Sequence, residues 1–349
     1  MHRRHFLLQT VAASGASLSA AVDAGRIRIG QNGTTHAHAS GKMDAIRSLP
    51  GLYEVVGFAE TDAAKRASAI QSKTFAGLAS VTADELLATP GLAAVAVETR
   101  VEDSAATALK CIRAGKHIHL DKPGALDHAE FKTMRLEAEQ RGLTVQMGYM
   151  LRYNPAFELL FRAVREGWLG EITEIDAAMG KLADDGTRKN IGALPGGGMF
   201  ELGCHVIDAI VTLLGKPTAV HGISTPTRDD GVKDNQLAVL QYAKATATVR
   251  VNHADPFGGP RRRFMVAGTK GVIDIQPLES GKLTLSLTEP REKWKKGQQP
   301  VQLEVPKGRY DGEFIDLAKV IRGEKKLAWD AAHDIAVHET VMSAAGTAK

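Results

Sequence analysis

The sequence predicts two domains, an α/β domain of the Rossmann type with a doubly wound parallel sheet, followed by an α+β domain with an open, largely antiparallel sheet. Three observations lead to this. The chain has 349 residues, enough for two domains of ordinary size. Up to residue 148, short apolar strands alternate with helical segments, as in βαβ units. From residue 149 onward, most strand segments instead alternate apolar and polar residues, as in a sheet with one open face.

The composition is that of a folded, water-soluble protein and excludes several function classes. Hydrophobic residues make up 44% and charged residues 24% of the chain, close to globular averages. The net charge of +4 and the aromatic content of 5% do not provide the basic, aromatic surface that nucleic-acid binding needs. Two cysteines cannot build a disulfide framework or a cysteine-rich zinc site.

Residues 1–24 differ from the rest and resemble a secretory leader of the twin-arginine kind. Arg3 and Arg4 precede a weakly apolar segment of small residues, which is too short for a stable membrane anchor. The alternative is a basic arm of the mature protein. We therefore expect an exported, periplasmic protein, or a cytoplasmic one if the leader does not function.

The first domain is predicted over residues 25–148, with its ligand at the carboxyl ends of the strands. Strands are expected at 27–29, 53–59, 93–98, 116–120 and 144–147, and helices at 38–48, 84–88, 104–114 and 129–141, with an Ala/Lys helix after residue 62. A doubly wound sheet of this kind binds its ligands in the crevice where the strand order reverses.

The segment after the first strand is a degraded dinucleotide loop. Gly33 supplies the first turn, whereas Thr35 and His38 stand where the second and third glycines of G-x-G-x-x-G belong. Glu60, at the end of the second strand, can accept the ribose hydroxyls of NAD and would repel the 2′-phosphate of NADP. NAD is therefore the expected cofactor, and a plain strand-to-helix turn is the alternative. The candidate cofactor residues are Gly33, Thr34, Thr35, His36, Glu60, Thr99, Asp121 and Lys122.

Several motifs occur together in a characteristic order. They are Ala114-Gly115-Lys116-His117, Asp121-Lys122-Pro123, Gly148-Tyr149, Arg152-Tyr153-Asn154-Pro155 and Gly203-Cys204-His205. With them the chain resembles the Gfo/Idh/MocA family, the glucose-fructose oxidoreductase and inositol dehydrogenase superfamily, from about residue 26 to 344. Asp121 stands where the family usually has Glu. The resemblance implies that Lys122 orients or protonates the reacting oxygen, and the X-Pro bond that follows can be cis.

A helix predicted over 199–214 carries three ionisable residues, Glu201, His205 and Asp208, at i, i+4 and i+7. A carboxylate beside a histidine raises its basicity. The resemblance implies that His205 is the catalytic acid/base and that Glu201, where the family has Asp, tunes it. Zinc binding by the three residues and a purely structural His205 are the alternatives, and no metal is assigned.

Polar residues after the last strand of the first domain are candidate substrate contacts at the domain junction. These are Tyr149, Arg152, Tyr153 and Asn154, together with Asp208. Tyr153-Asn154-Pro155 equally suits the cap of a helix that starts at Pro155. Weaker candidates for the pocket are His36, Arg100, Lys181, Asn252, His253 and Arg262.

The second domain, residues 149–349, is predicted to bind substrate and to form oligomers. Strands are expected within 237–252 and at 264–268, 272–276, 282–287 and 301–305, and helices at 156–166, 199–214, 313–321 and 331–344. The resemblance implies that the open face of this sheet mediates homo-oligomer formation or receives a substrate. The expected function is an exported NAD-dependent oxidoreductase acting on a hydroxyl of a sugar, polyol or glycoside. The alternatives are glycoside cleavage, elimination or epimerisation with recycled NAD, and a non-catalytic binding protein.

Overall fold

A computed structural model describes residues 25–347 and contains the predicted first domain. Its strands are β1 (Ile27–Asn32), β2 (Tyr53–Ala59), β3 (Ser80–Val81), β4 (Ala94–Val97), β5 (His117–Leu120) and β6 (Val145–Met147). The helices between them are α1 (Ala39–Ser48), α2 (Ala63–Gln71), α3 (Ala83–Ala88), α4 (Val101–Arg113) and α5 (His128–Gln140). The strands pair in parallel in the order β3-β2-β1-β4-β5-β6, which confirms the doubly wound prediction.

The strand order reverses between β1 and β4, which pair with each other. Ligands of doubly wound sheets bind in the crevice at such a point, beyond the carboxyl ends of the strands. Four polar or glycine residues occupy that edge, each directly after its strand: Gly33, Glu60, Glu98 and Asp121. The fold thus assembles the edge from segments that are far apart in sequence.

The second domain is an eight-stranded sheet with helices packed on one face. Its strands are β7 (Ile172–Gly180), β8 (Ala219–Pro226), β9 (Lys233–Gln241), β10 (Thr246–Asn252), β11 (Arg263–Gly268), β12 (Gly271–Ile275), β13 (Lys282–Leu287) and β14 (Gly297–Gln302). The helices are α6 (Pro155–Arg165), α7 (Asp185–Gly192) and α8 (Cys204–Leu214). The order is β14-β13-β12-β11-β7-β10-β9-β8, and only β7 and β10 pair in parallel.

Three details of this sheet differ from the sequence expectation. Residues 237–252 form two strands of a hairpin, because the chain turns at 242–245. The last strand covers 297–302 rather than 301–305. The sequence analysis missed strands β7 and β8, because they lack a regular alternation of apolar and polar residues. It also missed helix α7.

Helix α9 (Asp311–Ile321) returns to the first domain, and α10 (Ala331–Ala344) closes the second. Phe314 and Leu317 of α9 are fully buried in one apolar cluster with Ile29 and Ile46. The Tyr53 hydroxyl donates a hydrogen bond to the Phe314 carbonyl oxygen at 2.6 Å. A boundary at residue 148 therefore separates the two sheets, while the chain crosses back later to cover the first.

The predicted leader, residues 1–24, lies outside the described residues. Within residues 25–347, no helix combines the length and apolarity that crossing a bilayer requires.

Candidate functional site

Gly33 occupies a position that only glycine fits. Its φ is +99°, and a Cβ there would lie 2.6 Å from backbone atoms of Glu98 and Thr99. Its N–H donates to the Ala59 carbonyl oxygen at 2.8 Å. The loop that begins at Gly33 is thereby packed tightly against the ends of β2 and β4. A cavity of about 650 Å³ lies beside it at this edge of the sheet. Gly33, Thr35, Glu60 and Thr99, four of the predicted cofactor residues, line it.

Glu60 fastens the loop to the end of β2. Its Oε2 accepts hydrogen bonds from the Thr34 N–H at 2.7 Å and the Thr34 hydroxyl at 2.8 Å, and its Oε1 accepts one from the Asp62 N–H at 2.9 Å. A carboxylate has about four acceptor positions, so about one remains for a ribose hydroxyl. The loop is therefore held by Thr34 and Glu60 in a chain that lacks the second glycine.

His36 and Asp121, two further predicted cofactor residues, do not line this cavity. They lie in a buried polar cluster behind the loop. His36 Nδ1 is 3.4 Å and His38 Nδ1 is 3.0 Å from Asp121 Oδ2. Burial lowers the pKa of His36 to about 4, so its ring is neutral at pH 7. Sequence reasoning missed the other buried members of this cluster, which are Lys42, Glu98, His119 and Glu313.

Lys122 connects the two domains. Its peptide bond to Pro123 is cis, and its side chain is buried. Its Nζ donates to the Glu201 carbonyl oxygen at 2.8 Å and lies 3.6 Å from Glu201 Oε1. Burial by itself would lower the pKa of Lys122, but the Glu201 carboxylate together with Cys204, Asp121 and Tyr310 outweighs it and the pKa is raised. Lys122 is therefore a fixed cation at the domain junction.

The predicted helix over 199–214 begins with a π-helical turn, Met199–Gly203, before α8. Such turns alter the register of the side chains and are frequent at functional sites. Glu201 Oε2 lies 3.7 Å from Lys181 Nζ and 3.6 Å from His253 Nε2, so two of the weaker candidates join this site. Burial would raise the pKa of Glu201, but Lys122 and these neighbours hold it well below its ordinary value.

His205 is buried beside Lys122 and Tyr149. Its Nδ1 has no hydrogen-bond partner among residues 25–347, and its ring meets that of Tyr149 edge-on at 6.0 Å. Burial, and then the positive charge of Lys122, lower the pKa of His205 well below 6.5. The Glu201 carboxylate acts in the expected direction and raises the pKa of His205, but burial and the charge of Lys122 outweigh it. A neutral imidazole at pH 7 can accept a proton.

Asp208 points away from this group, into a buried ionic network. It accepts hydrogen bonds from Arg152 Nε at 3.0 Å and Nη2 at 2.7 Å, and lies 3.0 Å from His333 Nε2. Arg152 also donates to Asp334 at 2.7 Å. The structure therefore does not support the zinc alternative at Glu201, His205 and Asp208, and it leaves the two predicted substrate contacts Arg152 and Asp208 paired with the protein.

Two other predicted substrate residues also have protein partners. Asn154 Oδ1 accepts from the Ala156 N–H at 2.9 Å and caps α6, which favours the capping alternative. The Tyr153 hydroxyl accepts from Gln146 at 2.9 Å and donates to Asp316 at 3.2 Å. Tyr149 alone of the predicted group remains next to His205.

The remaining weak candidates lie apart from Lys122. Arg100 lines the nucleotide-side cavity. Asn252 Oδ1 accepts from the Ala254 N–H at 2.8 Å, and Arg262 donates to Glu279 at 2.9 Å. These two side chains serve the loop after β10, so the residues brought together at the domain junction are Lys122, Lys181, Glu201, His205 and His253.

Comparison with known protein families accounts for this two-domain arrangement. Residues 25–149 match a model described as an oxidoreductase family with an NAD-binding Rossmann fold. Residues 157–274 match the GFO/IDH/MocA C-terminal domain. The chain belongs to the Gfo/Idh/MocA family of oxidoreductases. The two matched segments together cover more than half of the chain.

Curated members of the Gfo/Idh/MocA family resemble this chain over part of their length. It is 30% identical over 200 residues to trans-1,2-dihydrobenzene-1,2-diol dehydrogenase of Bos taurus, which covers 56% of this chain and 59% of that protein. It is 30% identical over 193 residues to the uncharacterized oxidoreductase YhhX of Escherichia coli K12, covering 54% of each. The chain thus spans less than two thirds of these curated relatives.

Solved structures of Gfo/Idh/MocA fold resemble the whole molecule. A levoglucosan dehydrogenase in complex with NADH and levoglucosan superposes with a TM-score of 0.80 at 19% identity, covering 93% of this chain and 97% of the other. UDP-N-acetylglucosamine 3-dehydrogenase GnnA of Acidithiobacillus ferrooxidans gives 0.76 at 18% identity, covering 92% and 97%. At these identities the likeness shows the shared fold.

Proposed function

We propose that this protein is an NAD-dependent dehydrogenase that transfers hydride between the nicotinamide and a hydroxyl carbon of a sugar, polyol or glycoside. One observation carries the proposal. The Lys122 ammonium is held at the domain junction by Glu201, and a neutral, buried His205 lies beside it. A neutral imidazole can accept the hydroxyl proton and a fixed cation can stabilise negative charge on the oxygen, so the pair suits oxidation of an alcohol. The similar solved structures named levoglucosan dehydrogenase and UDP-N-acetylglucosamine 3-dehydrogenase support a carbohydrate as the substrate class.

The residues at the strand edge fit a dinucleotide. Gly33 lets the loop pack directly against the end of β4, because a Cβ there would lie 2.6 Å from backbone atoms of Glu98 and Thr99, and the loop borders the cavity. When bound, the cofactor supplies the hydride acceptor for the reaction. The acidic residues that line the cavity, Glu60, Asp62 and Asp103, are matched in number by Lys65, Arg100 and Lys110. Glu60, directly after β2, stands where a carboxylate accepts the ribose hydroxyls and would repel a 2′-phosphate. We therefore assign NAD rather than NADP.

The chain's own residues handle the proton. Lys122 Nζ donates a hydrogen bond to the reacting oxygen and stabilises negative charge on it. His205 accepts the hydroxyl proton, since burial keeps its imidazole neutral. Glu201 holds Lys122 in place through its carbonyl and carboxylate oxygens, so it acts as a positioning residue. Tyr149 packs against His205 and restricts its orientation.

The test is the purified full chain with NAD and a panel of sugars, polyols and glycosides, followed by nicotinamide absorbance and substrate loss. Lys122→Ala and His205→Ala should each lower kcat by about 10²–10⁴-fold while NAD binding persists. Lys132→Ala and His221→Ala, exposed residues away from the junction, are the matched controls. Unchanged turnover in both site variants would refute the assignment.

The same assay separates the alternatives. Substrate loss that far exceeds NADH formation shows recycled NAD, and the reaction is then glycoside cleavage, elimination or epimerisation. NAD binding with no conversion across the panel indicates a binding protein. No dinucleotide binding at all contradicts every catalytic version of the proposal.

We also propose that the protein is exported and forms a homo-oligomer through its open sheet. The paired Arg3-Arg4 and the apolar segment that follows support export. On β10, Ala247, Val249 and Val251 are buried while residues of the opposite face stay accessible, which leaves that face free to pair. Fractionation of cells carrying Arg3→Lys/Arg4→Lys tests the first point: the variant should stay in the cytoplasm. Light scattering of the purified protein tests the second, and a monomer would contradict it.

A further inference from the structure

Two histidines and two carboxylates form a second cluster at the strand edge. We name His36, His38, Glu98 and Asp121 the histidine–carboxylate cluster. The two histidines follow β1, Glu98 follows β4, and Asp121 follows β5. From the sequence, a metal site was an alternative only at Glu201, His205 and Asp208. The histidine–carboxylate cluster was missed, because nothing in the sequence shows that the ends of β1, β4 and β5 meet.

Within this cluster, the donor atoms of His36, His38 and Asp121 are spaced like ligands around one metal ion. His38 Nδ1 lies 3.0 Å and His36 Nδ1 lies 3.4 Å from Asp121 Oδ2, and His36 Nδ1 lies 3.6 Å from Glu98 Oε2. Tetrahedral ligands with metal bonds of about 2.0–2.1 Å are about 3.3 Å apart. The ligand atoms of His36, His38 and Asp121 all lie within 4.8 Å of one another.

Glu98 is the observation that points independently to a ligand. Its side chain is fully buried, and neither carboxylate oxygen accepts a hydrogen bond from any residue of the described chain. Its two nearest basic atoms are His36 Nδ1 at 3.6 Å and His119 Nδ1 at 3.8 Å. A buried carboxylate without a donor is costly unless a cation or a proton compensates it.

The charge balance around the cluster also calls for a cation. Glu98, Asp121 and Glu313 are three buried carboxylates, and within residues 25–347 the only buried ammonium that contacts them is Lys42. Lys42 is ion-paired with Glu313 and reaches Asp121 only at 4.0 Å. Two negative charges therefore remain for the groups that fill the space between Glu98 and Asp121.

We infer that the histidine–carboxylate cluster binds one divalent transition-metal ion of the zinc class, through His36 Nδ1, His38 Nδ1 and Asp121 Oδ2, with the Glu98 carboxylate beside His36 as a buried counter-charge. Two imidazole nitrogens with one carboxylate oxygen suit zinc or a similar ion rather than calcium or magnesium. The ion would join the ends of β1, β4 and β5 and hold the loop that lacks its usual glycines. It has no part in the proton transfer proposed for Lys122 and His205, so the inference stands apart from the dehydrogenase proposal.

The experiment uses the purified full chain, stripped with a chelator and dialysed, then titrated with Zn²⁺ and with Co²⁺. We expect one tightly bound ion per chain by elemental analysis, and a Co²⁺ visible spectrum typical of four-coordinate nitrogen and oxygen ligands. His36→Ala and His38→Ala should weaken Co²⁺ binding by at least about 100-fold, since loss of outer-shell partners alone costs 10–100-fold. His221→Ala, an exposed histidine on β8, should bind like the wild type.

A readout on the wild type avoids dependence on the variants' folding. Two-bond ¹H–¹⁵N spectra of the imidazole side chains should show the Nδ1 atoms of two histidines shifting on Zn²⁺ addition. The inference is overturned if the chain binds no ion, or if both variants titrate like the wild type. It is equally overturned if infrared spectra of Zn²⁺-treated protein show a protonated carboxyl band that Glu98→Gln removes. Burial and Asp121 raise the pKa of Glu98, so a proton is the competing occupant.

Discussion

The substitution Gly33→Ala tests the nucleotide edge with a control that the chain itself offers. Two costs add at this position. A side chain at φ +99° is strained, at about 1–2 kcal/mol. The new Cβ would also lie 2.6 Å from the Glu98 and Thr99 backbone, so the loop must move by close to 1 Å. Gly115 has a similar φ of +73° with nothing within 4 Å, so Gly115→Ala carries the first cost alone.

We expect Gly33→Ala to weaken NAD binding by at least about tenfold, about 1.4 kcal/mol, because the displaced loop and Glu60 line the same cavity. Gly115→Ala should lower the melting temperature while leaving the Kd for NAD unchanged. Calorimetric titration gives the Kd, and thermal unfolding checks that both variants fold. Equal Kd values for wild type and Gly33→Ala would refute the placement of the cofactor at this loop.

Three further outcomes follow from the buried polar groups. Asp208→Ala should reduce the free energy of unfolding by about 3–5 kcal/mol in urea titrations, because it leaves the buried Arg152 without one of its carboxylate partners. Arg162→Ala, at the exposed Arg162–Glu292 pair, is the control and should lower the free energy of unfolding by under about 1 kcal/mol. Similar losses in the two variants would contradict the buried ionic network. Asn154→Ala should lower the free energy of unfolding by about 1 kcal/mol, because the cap of α6 is lost, and should leave KM unchanged. A raised KM with unchanged stability would instead show that Asn154 contacts the substrate. Burial lowers the pKa of His338 from 6.5 to about 4, so the unfolded chain binds the extra proton between these values and stability falls as the pH falls. His338→Gln should remove about 2 kcal/mol of the loss between pH 7 and pH 5, and parallel pH profiles for the two proteins would refute this.

The fold was largely predictable because its signals are local. Short apolar strands and capped helices of the first domain appear at the predicted places, and α10 matches its predicted range of 331–344. The two strands of the second domain that the sequence did not predict were missed for one reason. β8 is mostly accessible and β7 is irregularly buried, so neither shows the period-two pattern on which strand prediction depends.

The site was predictable only in part. Gly33, Glu60 and Lys122 follow strand ends, and strand ends meet at one edge in any doubly wound sheet. The roles of Arg152, Asp208 and Asn154 were not visible in the sequence, since the sequence shows a polar residue but not its partner.

The sequence by itself predicted most of the elements, showed which family the motifs resemble, and pointed to a lysine and a histidine as the residues that we propose carry the chemistry. Only the tertiary structure decided how charge is distributed among them. Glu201, in the π-helical turn, lies beside Lys122, whereas Asp208 is ion-paired with Arg152. Burial lowers the pKa of His205 and so makes it less basic. The ends of β1, β4 and β5 meet around the unpaired Glu98. The physical reason is that burial and pairing are properties of contacts between distant segments, whereas propensity and periodicity are properties of neighbours in the chain.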